Sequence, residues 1–567
     1  MSSQAAAPLL APAEVAAPRS KNFPLWPLRH VNHNVGLVWF AVVVECLAMS
    51  CWSGTVLNAF LYELSGSNYF VGLVSGAMGL VQLIGAYPIG WLADKHGKAQ
   101  FVKLGGVLTP LAVGVCSYAA VYGVGHDAPS QRMGSFWMMF GGMCLFGLVF
   151  LSAAGPLQSL YADSIATGER SWCYAVLNIL AQVGSAGGPV VAIVMFAVKG
   201  NQWDLPSLRD VFLVGMGIEL LFSFFLWHFR DDCAIGAETL APPPAASSAA
   251  SSAASADAPP AAAAVSSTDG AASPSQPAGG DESETWRPPS DSPHAWMVPW
   301  VMFASTLVEA VGGGLTASFF PLFWKNDIGF TPAVTQSIFL VSSLLSALTT
   351  ALSTRLASKI GRAETILLTN FFGAALLLSL ALLRDNTRED HPAASWHAWH
   401  AAREAVVQAE AAPSLPPGLP LTPAPPPTAP PNSPGSEALR VGIAAGLVAI
   451  YLASSSLQAC NYPLCESISM DFVPSNTRAR WKSLDSIGRF GWAGSSVLGG
   501  WIADQRGYTF TFAVTAAASF VAIAMRLRLL GVVPRNEKPK AQPEGLPERL
   551  GSRLGGSLDV GAPCKRS

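Results

Sequence analysis

Six ionisable side chains stand inside stretches that are otherwise long and apolar: Glu45, Glu219, Glu309, Glu466, and Asp485 with Arg489. A charge at the centre of a bilayer costs about 2.5–3.5 kcal/mol on insertion scales, so each demands a reason. A carboxyl desolvated without a cation favours its protonated form. It can take a proton from one side of a membrane and release it to the other, and Glu45 and Glu309 are the candidates for such coupling. The plainer alternative is a protonated Glu hydrogen-bonded between helices with no transport duty. Asp485 and Arg489 are four residues apart, share one helix face and can pair. If they pair only with each other the feature is structural; if Glu466 competes, Arg489 is freed to hold an anionic or hydroxyl-rich substrate. Gln158, Asn178, Gln182, Gln458, Asn461 and Tyr462 add neutral hydrogen-bonding groups. Trp52, two turns beyond Glu45, offers a ring for stacking on an apolar or sugar-like face, although packing is the commoner use of such a Trp. This mixture suits a small polar solute.

Composition says which solvent these groups meet. Of 567 residues, 51% are hydrophobic and only 12% charged, whereas a soluble protein is nearer one-quarter charged. Glycine (52), proline (43) and tryptophan (17) are plentiful, as helices in bilayers allow. A net charge of −2 argues against nucleic acid as a partner, since phosphate binding needs a basic excess. Seven cysteines fall in apolar stretches, and Cys233 and Cys564 in polar ones. That is neither a disulfide framework nor a paired metal site, and no cofactor is implied. His391, His397 and His400 read as incidental histidines on an interfacial helix rather than a metal site. No phosphate-binding loop is present, so the energy source is expected to be an ion gradient. Soluble enzyme, nucleic-acid binder and secreted scaffold are poor readings; a polytopic membrane protein remains.

Twelve apolar windows fit the roughly 20 residues a membrane crossing needs: 35–62, 69–93, 101–124, 134–160, 171–198, 211–229, 295–324, 332–356, 364–383, 438–470, 482–503 and 509–530. Four segments are too polar or too low in complexity to offset ordering entropy. They are a head 1–34, a linker 230–294, a Pro-rich loop 384–437 and a tail 532–567. The chain thus divides into bundles 35–229 and 295–531, six windows each. Lys and Arg place both termini and the linker in the cytoplasm: the inner short loops carry ten (Lys95, Lys98, Lys103, Arg170, Arg355, Lys359, Arg362, Arg478, Arg480, Lys482), the outer loops five (Arg132, Lys199, Arg209, Lys325, Arg506). The first window starts well inside the chain without a small-residue cleavage site, so it is not a signal peptide. Plasma-membrane and organellar placements both stay open.

The two halves repeat each other. Gly90-Trp-Leu-Ala-Asp94-Lys95-His-Gly97-Lys98 follows the second window, and Thr354-Arg-Leu-Ala-Ser358-Lys359-Ile-Gly361-Arg362 follows the eighth. Pro156-Leu157, Asp163 and Arg170 recur at the same spacing as Pro463-Leu464, Asp471 and Arg478, and Glu45 matches Glu309. Such repeats generate two related bundles around a midplane site. The first loop resembles the G-x-L-A-D-[RK]-x-G-[RK] signature of the major facilitator superfamily, and the second is a decayed copy. The resemblance implies an all-α fold of twelve helices in two pseudo-symmetric six-helix bundles, exposing a central cavity alternately to either side. It puts Glu45, Glu309 and Glu466 on cavity-lining helices and Glu219 on a peripheral one, where a packing role is the simpler reading. It also implies that the Gly90–Lys98 loop latches the bundles in the outward-facing state, with Asp94 in the acidic position.

The residues give reasons for this. Gly90 allows close approach and Gly97 a sharp reversal; Asp94 suits a helix N-terminus or a basic partner; Lys95 and Lys98 can pair with it or simply set topology. Ser358 replaces the acid in the second copy, so that latch is weaker. The Asp163…Arg170 and Asp471…Arg478 pairs can exchange partners as bundles rock, or form fixed salt bridges. Gly184, Gly187, Gly188 and Pro189 only partly match the Gly-Pro motif of antiporters, and Gly312, Gly313 and Gly314 are expected to let the seventh span bend. The expectation is a proton-coupled secondary transporter of a small polar solute, acting as a monomer. A drug/proton antiporter is the rival within transport, and a non-transporting receptor or scaffold with the same fold is the rival outside it.

Overall fold

The computed structural model describes residues 31–125, 128–165, 170–234, 292–387, 434–473, 481 and 484–535. Most of the expected head, linker, Pro-rich loop (with its three histidines) and tail lies outside these residues. The described chain is built of helices: α1 (His33–Trp52 continued by Thr55–Ser65), α2 (Asn68–His96), α3 (Lys98–Val124), α4 (Pro129–Asp163), α5 (Arg170–Val198), α6 (Leu205–Leu226), α7 (Val298–Ala317, continued through Ile328), α8 (Pro332–Ile360), α9 (Arg362–Thr387), α10 (Pro434–Ala459 continued by Tyr462–Asp471), α11 (Asp485–Arg506) and α12 (Tyr508–Arg526). Among the described residues, ten helical stretches are long and apolar enough to cross a membrane. The other two, α6 and α11, have membrane length and carry more charge: Arg209, Asp210 and Glu219 on one, Asp485, Arg489, Asp504 and Arg506 on the other.

Successive helices alternate in direction, so His33 and the end of α12 share a near face, and the α1–α2, α5–α6, α7–α8 and α11–α12 turns share a far face. The apolar core follows this division. Towards the far face one cluster runs through both halves, from Trp52, Phe60 and Phe146 to Phe323, Trp324 and Phe512. Towards the near face each half has its own cluster, around Val38, Tyr161 and Phe222 in one and Met302, Ile366 and Ile468 in the other. The halves are welded on one side and parted on the other.

Two helices break at matching places. α1 is interrupted at Ser53–Gly54, past Glu45, and α7 at Ser318, past Glu309. Such interruptions free backbone groups and are tolerated only where protein surrounds them; Asn58 Nδ2 donates to the released Ser318 carbonyl at 2.8 Å. Through Gly312–Gly314 α7 stays helical, to Ala317. These glycines serve contact instead: a Cβ at Gly314 would lie 1.9 Å from the Trp492 carbonyl oxygen, and one at Gly313 would meet the Trp492 ring.

Segment boundaries also move. α9 runs to Thr387, because Arg384 is held inside the bundle by the Asp327 carboxylate (2.8 Å) and carbonyl (2.7 Å). Residues 230–234 dock rather than start a linker: Asp231 accepts from the Ala99 N–H at 2.9 Å, capping α3. Residues 532–535 pack on the second half through the buried Val533, and Arg535 pairs with Glu364.

Candidate functional site

Between described residues, the polar contacts joining the two halves all lie at the far face. Lys325 pairs with Glu63 and sits over the Tyr62 and Trp203 rings. Trp203 Nε1 donates to the Phe330 carbonyl at 2.7 Å, and Asn201 bonds Thr331 and the Ala333 N–H. The Asp504 carboxylate takes the N-terminus of α2. Below these contacts α2 and α11 touch backbone to backbone: a Cβ at Gly72 would lie 2.1 Å from the Ser496 carbonyl oxygen, and Gly76 and Gly79 face Val497 and Ala493.

Where α2 and α11 diverge, a cavity of 470 Å³ opens in the near half. α2 contributes Met78 and Gln82, α7 Phe303 and Thr306, α10 Tyr462 and Glu466, and α11 Arg489 and Trp492. Most of the wall is apolar, with Gln82, Thr306, Tyr462, Glu466, Ser469 and Arg489 as its polar points. The expected site residues Tyr462, Glu466 and Arg489 therefore come together on this wall. Arg489 is exposed to the cavity and makes no ion pair with a described residue. The Asp485 side chain lies outside the described residues. Gln158 and Asn178 are exposed and Gln182 half-buried; none of the three lines this cavity. Asn461 is buried behind the wall, and Gln458 bonds Ser454 within α10.

Glu309 is not a lone acid. Arg526, on α12 and 1% exposed, grips it with two parallel bonds of 2.5 and 2.6 Å. The rest of the guanidinium donates to Ser305 and Thr306. Asn370 Nδ2 donates to the same carboxylate (2.8 Å), Asn461 Nδ2 to Asn370 Oδ1 (2.6 Å), and Thr369 to Asn461 Oδ1 (2.6 Å). One hydrogen-bonded network thus ties α7, α9, α10 and α12 and gives Glu309 a bidentate cation partner. Arg526 and Asn370 were not anticipated, since an arginine at the end of a last span reads as a flank. The signal was Glu309 itself, an acid that needed a cation.

The first half differs. Glu45 is half-buried and makes no hydrogen bond or ion pair with a described residue. It shares a helix face with Trp52, seven residues on, and lies within electrostatic reach of Glu219 on α6. Glu219 is fully buried; Trp52 Nε1 donates to its Oε2 at 3.2 Å, and Oε1 has no partner. No Lys or Arg pairs with either acid among the described residues. Trp52 is corrected as a stacking residue for solute: it is 2% exposed, wedged against Gly215 and packed on Phe146 and Phe212.

At the near-face turns, Gly97 and Gly361 take φ of +102° and +113°, the reversal that only glycine makes without strain. A Cβ at Gly90 would meet open space, so Gly90 makes no close approach in this conformation. Lys95 lies over the Trp91 ring, and the Asp94 side chain lies outside the described residues. Asp163 pairs with Lys98 (2.5 Å) and Asp471 with Arg362 (2.7 Å). Among the described residues, the partners of the two acids are thus the last basic residues of the repeated loops; the Arg170 side chain and Arg478, the expected partners, lie outside the described residues. Lys98→Ala should cost under about 1 kcal/mol, because that pair is solvated; Arg362→Ala should cost more, since Arg362 is buried and also bonds Ser467 at 2.7 Å. Thermal unfolding of the two variants compares them.

The sequence profile of the Major Facilitator Superfamily matches residues 38–399. No curated protein sequence matches the chain. Among solved structures, a bacterial homologue of the iron transporter ferroportin in its inward-facing state is similar at 12% identity and a TM-score of 0.51, covering 87% of this chain and 98% of that one. A bacterial homologue of the human lysosomal transporter Spinster, inward-facing and unoccupied, is similar at 12% identity and a TM-score of 0.50, covering 89% and 98%. At such identities the likeness is one of fold.

Proposed function

The chain belongs to the Major Facilitator Superfamily, and from that premise we propose that it is a proton-coupled secondary transporter working by alternating access. The fold makes it a multi-pass membrane transporter of a small molecule. The finer reading rests on one observation: among the described residues, Glu45 and Glu219 of the first half pair with no Lys or Arg, while Glu309 of the second half is paired with Arg526. Neutrality in the first half then falls to protons, and Glu45, the half-buried member, is the carrier that exchanges with water, with Glu219 behind it. The basic loops orient the near face to the cytoplasm, so the conformation described is inward-facing, closed outside by the α2–α11 seam and open inside to the cavity.

The mostly apolar wall refines the solute. It has an apolar body, which Phe303, Trp492 and Met78 would cover, and an anionic or hydroxyl-bearing end, which Arg489 would hold opposite Glu466. In proteoliposomes screened with a panel of labelled solutes, an inward-acid or outward-acid pH gradient should drive net flux by the native chain. Glu45→Gln should keep solute exchange and lose the response to the gradient; an undiminished response sinks the coupling assignment. Arg489→Ala should abolish the thermal stabilisation that a transported anionic solute gives the native protein, a shift of about 2.7 kcal/mol at a hundredfold excess over Kd. If Glu45→Gln and native protein both carry no solute in the panel, the receptor alternative gains.

A further inference from the structure

Asp94 and Asp504 stand in two copies of one sequence. Gly90-Trp-Leu-Ala-Asp94-Lys-His-Gly97 closes α2, and Gly500-Trp-Ile-Ala-Asp504-Gln-Arg-Gly507 closes α11, with five of eight positions identical. Each copy reverses at its glycine, with φ of +102° and +84°, and the next helix starts at the following residue. One copy is at the near face and the other at the far face.

In both copies the acid sits in the last turn of its own helix, where the macrodipole opposes a negative charge. Such an acid needs donors from elsewhere, and Asp504 has them. It accepts from the Ser67 hydroxyl (2.5 Å), the Asn68 N–H (3.0 Å) and side-chain amide (2.8 Å), and the Tyr69 N–H (2.9 Å). Two of these are first-turn N–H groups of α2, which no residue of an α-helix can satisfy internally. Ser67, in the N-cap position, makes no cap of its own. The cap comes from the other half of the molecule, and Tyr508 steadies it by donating to Asn68 Oδ1 at 3.0 Å. The N-cap position of α11 is held by Leu484, whose side chain offers no capping group.

We propose that α2 and α11 exchange one latch in both directions. Asp504 is the positioning residue of the far-closed state, capping α2, and Asp94 is its counterpart in the near-closed state, capping the head of α11. The near-face half is what the family resemblance implied for Asp94; the assignment of Asp504, and of the two as competing caps of one pair of helices, goes beyond it. The two caps exclude each other because each requires its own face to be shut, so their relative strength sets the balance of states. This rests on the alternating-access reading.

Cys465, which lines the near-open cavity, reports the balance in the otherwise native chain. Its alkylation by a membrane-impermeant maleimide is followed by peptide mass spectrometry in lipid nanodiscs. Asp504→Ala should slow Cys465 alkylation about tenfold, the effect of shifting the population towards the far-open state by that factor. Asp94→Ala should not slow it, and Asp94→Ala/Asp504→Ala should return towards the native rate. A pair of caps that served only folding would lower the melting temperature in both variants and leave the rate alone. Unchanged alkylation in folded Asp504→Ala, with Asp94→Ala still restoring nothing in the double variant, overturns the latch. If Cys465 reacts at a single rate in native protein and all variants, and also in the presence of every solute tested, the alternating-access reading fails with it.

Discussion

Arg526→Leu should unfold far more readily than the native chain, and Glu309→Gln/Arg526→Leu should recover most of the loss. The single variant leaves Glu309 facing Asn370 inside the second half with its cation gone. Removing one partner of a fully buried pair costs roughly 3–5 kcal/mol; Glu309 is 29% exposed, so the loss here should lie at or below the lower end of that range. Removing both leaves a neutral amide that Asn370 can still address, so the cost falls towards that of a lost hydrogen bond, about 1 kcal/mol. Thermal unfolding in a fixed detergent measures the three proteins. The same comparison tests the division of roles: a double variant that is folded and still responds to a pH gradient shows that Glu309 was not the proton carrier, whereas loss of the response only in that variant returns Glu309 to the mechanism.

Gly72→Leu should abolish transport while leaving the protein folded. No side chain fits at Gly72 when the far face is shut, because its Cβ position is 2.1 Å from a backbone oxygen of α11, and backbone does not yield as a flexible side chain would. The obstruction exists only in the far-closed conformation. It should therefore trap the chain far-open rather than unfold it, and Cys465 should become unreactive to the maleimide. By contrast Gly90→Leu meets open space here and would be felt only when the near face closes, so it should trap the opposite state. Equal transport by Gly72→Leu and native protein would contradict the seam.

Much of the bundle was legible because its signals are periodic and local. Long apolar windows and the repeated Leu-Ala and Lys-x-Gly positions need no knowledge of partners. What was hidden depends on which helices meet. Glu309 announced a cost but not its remedy, since Arg526 lies far along the chain at a helix end where arginines ordinarily flank a membrane. Trp52 lay two turns from an acid on a helix expected to line the cavity, yet Gly215 on α6 leaves a gap that its ring fills, so packing claimed it. The glycines of α7 suggested bending because small residues lower helix propensity; in a bilayer they more often admit a neighbour, and Trp492 and Ser495 occupy that space. The real break came at Ser318, beside a carbonyl that Asn58 satisfies. Asp163 pairs with Lys98, 65 residues away at the head of α3, a partner that the residues around Asp163 do not reveal. The far-face copy of the latch was readable in principle, as Gly-Trp-Ile-Ala-Asp repeats Gly-Trp-Leu-Ala-Asp, but comparison of the halves in parallel never aligns the end of α2 with the end of α11.

The central claim is that the two halves rock about the α2–α11 seam under control of the first half's charge. Fluorophore pairs placed through unnatural amino acids, one spanning the far face at positions 66 and 505 and one spanning the near face at positions 96 and 358, allow single-molecule distances to be read in nanodiscs between pH 5 and pH 8. The mechanism predicts that the two distances change in opposite senses, that their populations shift with pH in the native chain, and that Glu45→Gln removes the pH dependence without removing the two states. A near-face distance that never changes, or one that lengthens together with the far-face distance, would contradict it.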